Sequence, residues 1–358
     1  MAIEIYRTNN MIEVVKKMEL PAMFLRDRYF PTAPKDIFKT KKVYIERLDE
    51  GHRCAPFVIP LDGSKAVVMN REAYEGEELY PAFIHAAREM SLATLAKKGI
   101  GETLFDEVMP EERERRYLSE DMAYLTAAVM RSWEWMCGQL LNNGCIECCC
   151  CMGDAIDDKS KMVKVRFQFY EDSFDNAEVY SKKWSDADAD VYGQIAETAN
   201  SIDTSYESLD LILGGNLVHY FVTNPTILKL LDTRNLNIGR LDPVATNYRR
   251  IGNLGSINFD GIQLNIFTDS RGVTDPTGTN GHYIDQNSFV IAPPNLGAMK
   301  FGTITQMEEE DRDYHSYPME LVPRRITNIS SSERNLEMSS APLPHPYDWS
   351  GWRTCKAL

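Results

Sequence analysis

The sequence predicts a mixed α+β fold in which helices are segregated rather than alternating with strands. Three observations carry this. A helical pattern runs unbroken from Pro110 to Gly144, with Leu118, Met122, Leu125, Val129, Trp133, Met136 and Leu140 on one face. Short stretches alternate apolar with polar residues, such as Met162 to Phe169 and Ile262 to Ile266, and read as strands. Further strand patterns follow at Ser288 to Ala292, Met299 to Gln306, Arg324 to Ile329 and Trp349 to Thr354, with no helical pattern between them.

The long helix organises the rest. Pro110 suits a first helical turn, and Glu111, Glu112 and Glu114 place negative charge at the positive end of the helix dipole. Asn142-Asn143-Gly144 is a stop signal. At 1.5 Å per residue such a helix is roughly 50 Å long. A helix of that length is expected to act as a beam, with sheet along one side and solvent or another subunit along the other.

Length bounds the chain to two domains or one elaborate one, at 358 residues. A hydrophobic content of 43% and a charged content of 26% are those of an ordinary folded protein. No run approaches the ~18 apolar residues of a membrane span. The opening MAIEIYRTNN lacks a basic-then-apolar leader, so secretion is not expected. A net charge of −14 argues against coating DNA over the whole surface, but it suits a wall that DNA presses against. The eight cysteines are expected to stay reduced in a cytosol, and the Asn328-Ile329-Ser330 glycosylation match is read as chance.

In chain order, residues 1–40 read as an arm. A short helix is expected at Met11 to Leu20, and Pro21, Pro31 and Pro34 discourage regular structure after it. Residues 1–45 hold nine Lys or Arg against five Asp or Glu, unlike the acidic remainder, which fits an arm lying on an acidic neighbour or facing nucleic acid. Residues 41–90 read as a projecting hairpin. Strands are expected from Val43, at Cys54 to Ile59 and at Lys65 to Met69, with a turn at Leu61-Asp62-Gly63-Ser64. Its polar interruptions imply that it needs a partner surface. Trp184 to Asn200 reads as a helix with an acidic start, Asn216 to Val222 as a buried strand, and Pro225 to Leu231 as a helix. Phe259-Asp260-Gly261-Ile262 is a hairpin turn, and Ser270 to Gly281 a polar loop.

Chemical motifs are weak. Cys145-Ile-Glu-Cys148-Cys149-Cys150-Cys151 contains half of a zinc site, but no second Cys-x-x-Cys follows and the next histidine is His219. The run is expected on a thiol-rich turn after the helix stop and to be dispensable for folding. A bond between thiols of adjacent copies requires Cα atoms within about 7 Å, which sequence alone does not supply. Asp186, Asp188, Asp190 and Glu197 imitate a calcium loop, but Val191 stands where that loop needs glycine. The acidic cluster therefore reads as a helix start. Gly-x-x-x-x-Gly-Lys, Gly-x-Ser-x-Gly and His-Glu-x-x-His signatures are all missing from the chain, and its six histidines are scattered singly. No catalytic, cofactor-binding or metal-binding residue is assigned.

Several stretches resemble, in order and spacing, the lambda-like major capsid protein E family of tailed phages. They are LPAMFLRDRYFP (Leu20 to Pro31), KKVYIERL (Lys41 to Leu48), APFVIP (Ala55 to Pro60) and LYPAFIHAAREMS (Leu79 to Ser91). RERRYL (Arg113 to Leu118), KLLDTRN (Lys229 to Asn235), NSFVIAPPNLGAMKFGTI (Asn287 to Ile304) and SSAPLPHPYDWSGWRTCKAL (Ser339 to Leu358) continue it. The cysteine run and the stretch Asn200 to Ile212 depart from the family pattern. The resemblance implies the Hong Kong 97-type capsid fold. Its parts would be an arm (1–40), an extended hairpin loop (41–90), a peripheral domain (91–200) with the spine helix at 110–143, an axial domain (201–325) and a C-terminal return (326–358). It implies a major capsid protein, not an enzyme, with no cofactor, that assembles with itself as hexamers and pentamers into an icosahedral shell around double-stranded DNA. Scaffold, portal and decoration proteins are the other implied partners, DNA is held without sequence specificity, and no membrane is involved. The expected location is the virion, with assembly in the host cytoplasm. The alternatives are an encapsulin-like nanocompartment shell and a cysteine- or metal-dependent enzyme.

Overall fold

The computed structural model describes residues 7–18, 22–47, 75–91, 110–151, 162–168, 177–180, 182–186, 188–202, 206–231, 239–240, 244–245, 250–259, 262–309, 311–328, 333–348 and 351–358. The expected hairpin strands at Cys54 to Ile59 and Lys65 to Met69, and the turn between them, lie outside these residues.

Helix α1 (Thr8–Lys17) begins three residues earlier than expected and buries Met11, Ile12 and Val15. A second short helix, α2 (Phe24–Tyr29), forms between Pro21 and Pro31, where the prolines suggested none. Strands β1 (Val43–Arg47) and β2 (Glu75–Leu79) pair antiparallel, with Arg47 opposite Glu75, and the segment that joins them lies outside the described residues. Strand β3 (Ile84–Ser91) follows, then α3 (Pro110–Asn143), 34 residues long.

The spine helix α3 ends where the sequence indicated. Gly144 adopts φ of 66°, a left-handed conformation that costs glycine little, and its N–H reaches the carbonyl of Leu140 at 2.9 Å. The Leu141 carbonyl, one of the last four with no intrahelical donor, accepts from Trp352 Nε1 and Thr354 Oγ1. The chain then reverses directly into β4 (Cys145–Cys151), which pairs with β5 (Met162–Gln168). The cysteine run is therefore a strand and not a turn, because one αL residue completes the reversal. Strand β5 is only partly the half-buried strand expected. Phe167 packs on the core, whereas Val163 and Val165 are exposed.

After β6 (Ala177–Val179), the expected helix from Trp184 starts only at α4 (Val191–Asn200). Asp190 accepts the Gly193 N–H and fixes that start, while Trp184 stacks on Phe289 ahead of it. Strand β7 (Ser208–Gly214) leads to α5 (Leu217–Thr223) and α6 (Pro225–Leu231). The expected strand at Asn216 to Val222 is thus a helix. Its β-branched and aromatic residues suggested a strand, but Leu217 and Phe221, four apart, share a face and are buried together.

Strands β8 (Gly239–Arg240), β9 (Val244–Ala245), β10 (Ile251–Phe259) and β11 (Ile262–Asp269) continue the sheet, and β10 and β11 form the predicted hairpin. The polar loop from Ser270 carries a small hairpin, β12 (Gly272–Thr274) with β13 (Asn280–His282). Next come β14 (Ser288–Ala292), β15 (Gly297–Phe301) and β16 (Ile304–Met307). The single strand expected at Met299 to Gln306 is broken at Gly302, where a Cβ would press on Pro81 and on the Lys41 carbonyl. The chain ends with β17 (Tyr314–Tyr317), β18 (Val322–Asn328), β19 (Glu333–Ser340), β20 (Pro342–Pro346) and β21 (Arg353–Lys356). Strand β18 covers most of the strand expected at Arg324 to Ile329, whereas β21 shares only Arg353 and Thr354 with the one expected at Trp349 to Thr354. The two do not pair together. Strand β18 joins β19, and β21 lies between β6 and β14.

The largest sheet runs β6-β21-β14-β7-β11-β10-β8. It is a wall shared by two cores. Leu209, Leu211, Leu213, Leu264, Ile266, Phe289 and Ile291 belong to one core, with α4, α5 and α6. Ile212, Phe267, Val290 and Ala292 belong to the other, with α2 and α3. The alternation along β7 is that of a strand buried on both faces. A three-stranded sheet, β18-β19-β3, lies along α3.

All seven predicted apolar positions on the spine helix meet protein: Leu118 packs at the margin, and the other six are buried. Leu125→Ala or Val129→Ala is expected to lower the unfolding free energy by about 1–5 kcal/mol, through lost burial and a residual void. Glu120→Ala removes only an exposed pair with Arg116 (3.0 Å), and its cost is expected to stay below about 0.5 kcal/mol. Denaturant unfolding checks this, and equal losses at both kinds of position would mean that the wrong face is buried.

Candidate assembly site

Two buried polar clusters fix α2 to the body. In the first, Glu134 of α3 is almost wholly buried, at 2% exposure. Its carboxylate accepts the backbone N–H groups of Leu25 (2.9 Å) and Arg26 (3.0 Å), which are free donors at the start of α2. Met23, at the N-cap of α2, offers no capping side chain, so a carboxylate about a hundred residues away in sequence caps this helix. Arg271 Nη2 adds a 2.7 Å bond to Glu134 and reaches Asp269 as well. Burial pushes the Glu134 carboxyl above its ordinary value of 4.5, against the opposing pull of Arg271 and the two N–H groups. For Arg271, burial works against the charge, but the hydrogen bond to Asp269 and the charge of Glu134 prevail and hold it above its ordinary value.

In the second cluster, Asp210 of β7 holds Arg28 through both carboxylate oxygens and accepts from Tyr29 Oη (3.1 Å) and Asn265 Nδ2 (3.0 Å). Burial raises the Tyr29 hydroxyl pKa well above its ordinary value, so it remains a donor. Arg26 bonds Glu320 (2.6 Å) and lies over the Trp133 ring (4.8 Å). Arg26 and Arg28, two of the nine basic residues noted in residues 1–45, are thereby paired within the subunit.

The outer surface at the hairpin root is different. Lys42 bonds Glu78 (2.8 Å) and lies over Tyr80 (5.5 Å), beside Tyr44 on the same strand pair. Tyr80 is 64% exposed and Phe83 is 61% exposed, the latter stacked on His85. Tyr44, at 45% exposed, adds a third large aromatic to this surface.

The weak metal motifs remain dispersed. Asp186 accepts the Lys183 N–H and Asp190 the Gly193 N–H, so both serve turns. Among the described residues, no three His, Cys, Asp or Glu side chains converge as a metal cage. Sequence reasoning missed Glu134, Asp210, Asp269 and Arg271. One signal was available: Met130, Glu134, Cys137 and Leu141 form a second stripe beside the apolar face, and a carboxylate within it needs a buried cation.

The phage major capsid protein E model matches residues 7–357 of the chain. The chain belongs to the phage major capsid protein E family. A crystal structure assigned as a prophage capsid protein from E. coli CFT073 aligns over 98% of this chain and 99% of its own, with a TM-score of 0.64 and 16% identity. That likeness shows the fold, the Hong Kong 97-type capsid fold. The satellite phage P4 procapsid (11% identity, 98% of this chain and 99% of that one, TM-score 0.45) and the SrpI encapsulin of Synechococcus elongatus PCC 7942 (6% identity, 97% and 95%, TM-score 0.45) are more distant and decide nothing here. A comparison with curated proteins gives no match. The major capsid protein is a component of the phage particle, and its working site is the surface it offers to other copies of itself.

Proposed function

We propose that this capsid subunit assembles as hexamers and pentamers into an icosahedral shell that encloses double-stranded DNA, in the host cytoplasm and with scaffold, portal and decoration proteins as its other partners. The observation that carries this is the family match over nearly the whole chain. The protein acts by burying surface against its copies and performs no catalysis. Residues 1–40 serve as the arm, 41–90 as the hairpin loop, 91–200 as the peripheral domain, 201–325 as the axial domain and 326–358 as the return. The hairpin lies over a neighbouring subunit, and the exposed aromatics at its root support that placement. DNA meets an acidic wall and is held without sequence specificity.

The purified protein, concentrated and supplied with its scaffold, is expected to form closed or tubular particles by light scattering and negative-stain microscopy. A monodisperse monomer under those conditions would overturn the proposal.

A further inference from the structure

The strand that carries the cysteine run has an unusual edge. Among the described residues β4 and β5 form a two-stranded sheet, a unit that is at best marginally stable in water by itself. Ile146 opposite Phe167 anchors the inner end of one face in the spine core, and Cys148 opposite Val165 continues that face outward. Val165 and, beyond it, Val163 are exposed. The other face carries Glu147 opposite Arg166 (3.9 Å) and Cys149 opposite Lys164.

The two outer edges differ. Strand β5 carries Lys164 and Arg166, charges of the kind that discourage an added strand. Strand β4 has no lysine, no proline and no bulge, and Glu147 is its one charged residue. Among the described residues its outer edge pairs with no strand, and it is the edge suited to pairing.

We propose that β4 pairs antiparallel with β4 of a second copy across a two-fold contact of the shell, and that the opposed cysteines form a disulfide once the particle meets an oxidant. This rests on the shell-forming function proposed above. The second copy is singled out by the strand's self-complementarity. Cysteines occupy 145, 148, 149, 150 and 151. Any antiparallel register centred between Cys148 and Cys151 sets at least one cysteine opposite a cysteine of the partner strand. Directly opposed residues have Cα atoms about 4.5–5.5 Å apart, inside the window of about 4.4–6.8 Å that a disulfide needs. A two-fold contact uses the same patch on both subunits, as this pairing requires.

In a reducing cytoplasm the thiols persist and the pairing is carried by backbone bonds. Outside it, a thiolate of one copy attacks a small-molecule disulfide such as oxidised glutathione, expelling one small thiolate and leaving a mixed disulfide. The opposed thiolate then attacks the protein sulfur and expels the second. Two protein thiols become one disulfide, and the small disulfide is reduced to two thiols.

The test uses reduced particles first confirmed by negative-stain microscopy, so that the outcome bears on the β4 contact and not on shell assembly. After incubation with oxidised glutathione, non-reducing gels are expected to show a dimer that dithiothreitol reverses. Peptide mapping is expected to place the bond between two copies of the 145–151 segment. Replacing Cys148, Cys149, Cys150 and Cys151 with Ser, and keeping the buried Cys145, is expected to abolish the dimer. Amide exchange in β4 is expected to slow on assembly in both the wild type and that variant, since the pairing is made by the backbone. Monomer only from intact oxidised particles, a bond mapping to Cys54, Cys137 or Cys355, or β4 amides that exchange equally in subunit and particle would each overturn the proposal.

Discussion

Glu134→Ala is expected to lower the unfolding free energy by about 3–5 kcal/mol, the usual cost of removing one partner from a buried ion pair. The loss has three parts. The Leu25 and Arg26 N–H groups lose their acceptor while the arm still covers them. Arg271 loses its bond to the spine, although Asp269 continues to hold it. A void opens beside α2. Glu134→Gln keeps the volume and one acceptor oxygen, so it should cost less. If Glu134→Ala unfolds like the wild type, the carboxylate does not cap α2.

The same residue predicts a pH dependence. The Glu134 carboxyl titrates above 4.5 in the folded chain because burial penalises its charge. The folded state therefore binds a proton that the unfolded state has released, and this contribution to stability falls as pH rises through the folded value. Lowering pH from neutral towards 4.5 should widen the stability gap between the wild type and Glu134→Gln. A gap that narrows would show that pairing, and not burial, dominates at this carboxylate.

The parts of the fold that sequence exposes are those where one local signal suffices. The spine helix is legible because its apolar spacing, acidic start and Gly144 agree, and the β10–β11 hairpin because Asp260-Gly261 sits between alternating strands. The errors arise where tertiary contacts outvote local signals. Helix α2 has poor local support, with prolines on both sides and only Asp27 accepting at its start, and Glu134 supplies acceptors for the Leu25 and Arg26 N–H groups from a distant segment. Helix α5 is rich in strand-favouring residues, and the buried pair Leu217 and Phe221 decides its form. The cysteine run reads as a turn if Gly144 is taken to open a loop, yet one αL residue suffices to reverse the chain. This also corrects the expected dispensability of the whole run. Cys145 is buried at the root of β4, so a serine there would bring a hydroxyl into the core. The polar clusters were the least legible part, since Glu134, Asp210 and Arg271 look like surface residues until distant segments bring them together.

Deleting Asp49 to Arg71 is expected to leave a folded subunit that forms no shells. The root of the hairpin makes this a clean test. Strands β1 and β2 pair with Arg47 opposite Glu75, and Val43 and Ile45 are buried beneath them. Joining Leu48 to Glu72 leaves Leu48, Glu72, Ala73 and Tyr74 between the paired strands, a connection within the ~2–5 residues usual for a β-hairpin. The root should therefore close without strain, and the buried contacts of β1 should survive. The unfolding temperature of the shortened subunit should lie close to that of the full chain. Assembly should fail, because the surface proposed to cover a neighbour has gone while the subunit's own cores remain. Light scattering and negative-stain microscopy, with thermal unfolding as the control, measure both halves. Shells of normal appearance from the shortened chain would show that the hairpin does not make the contact between subunits. A collapse in thermal stability would show instead that it supports its own subunit.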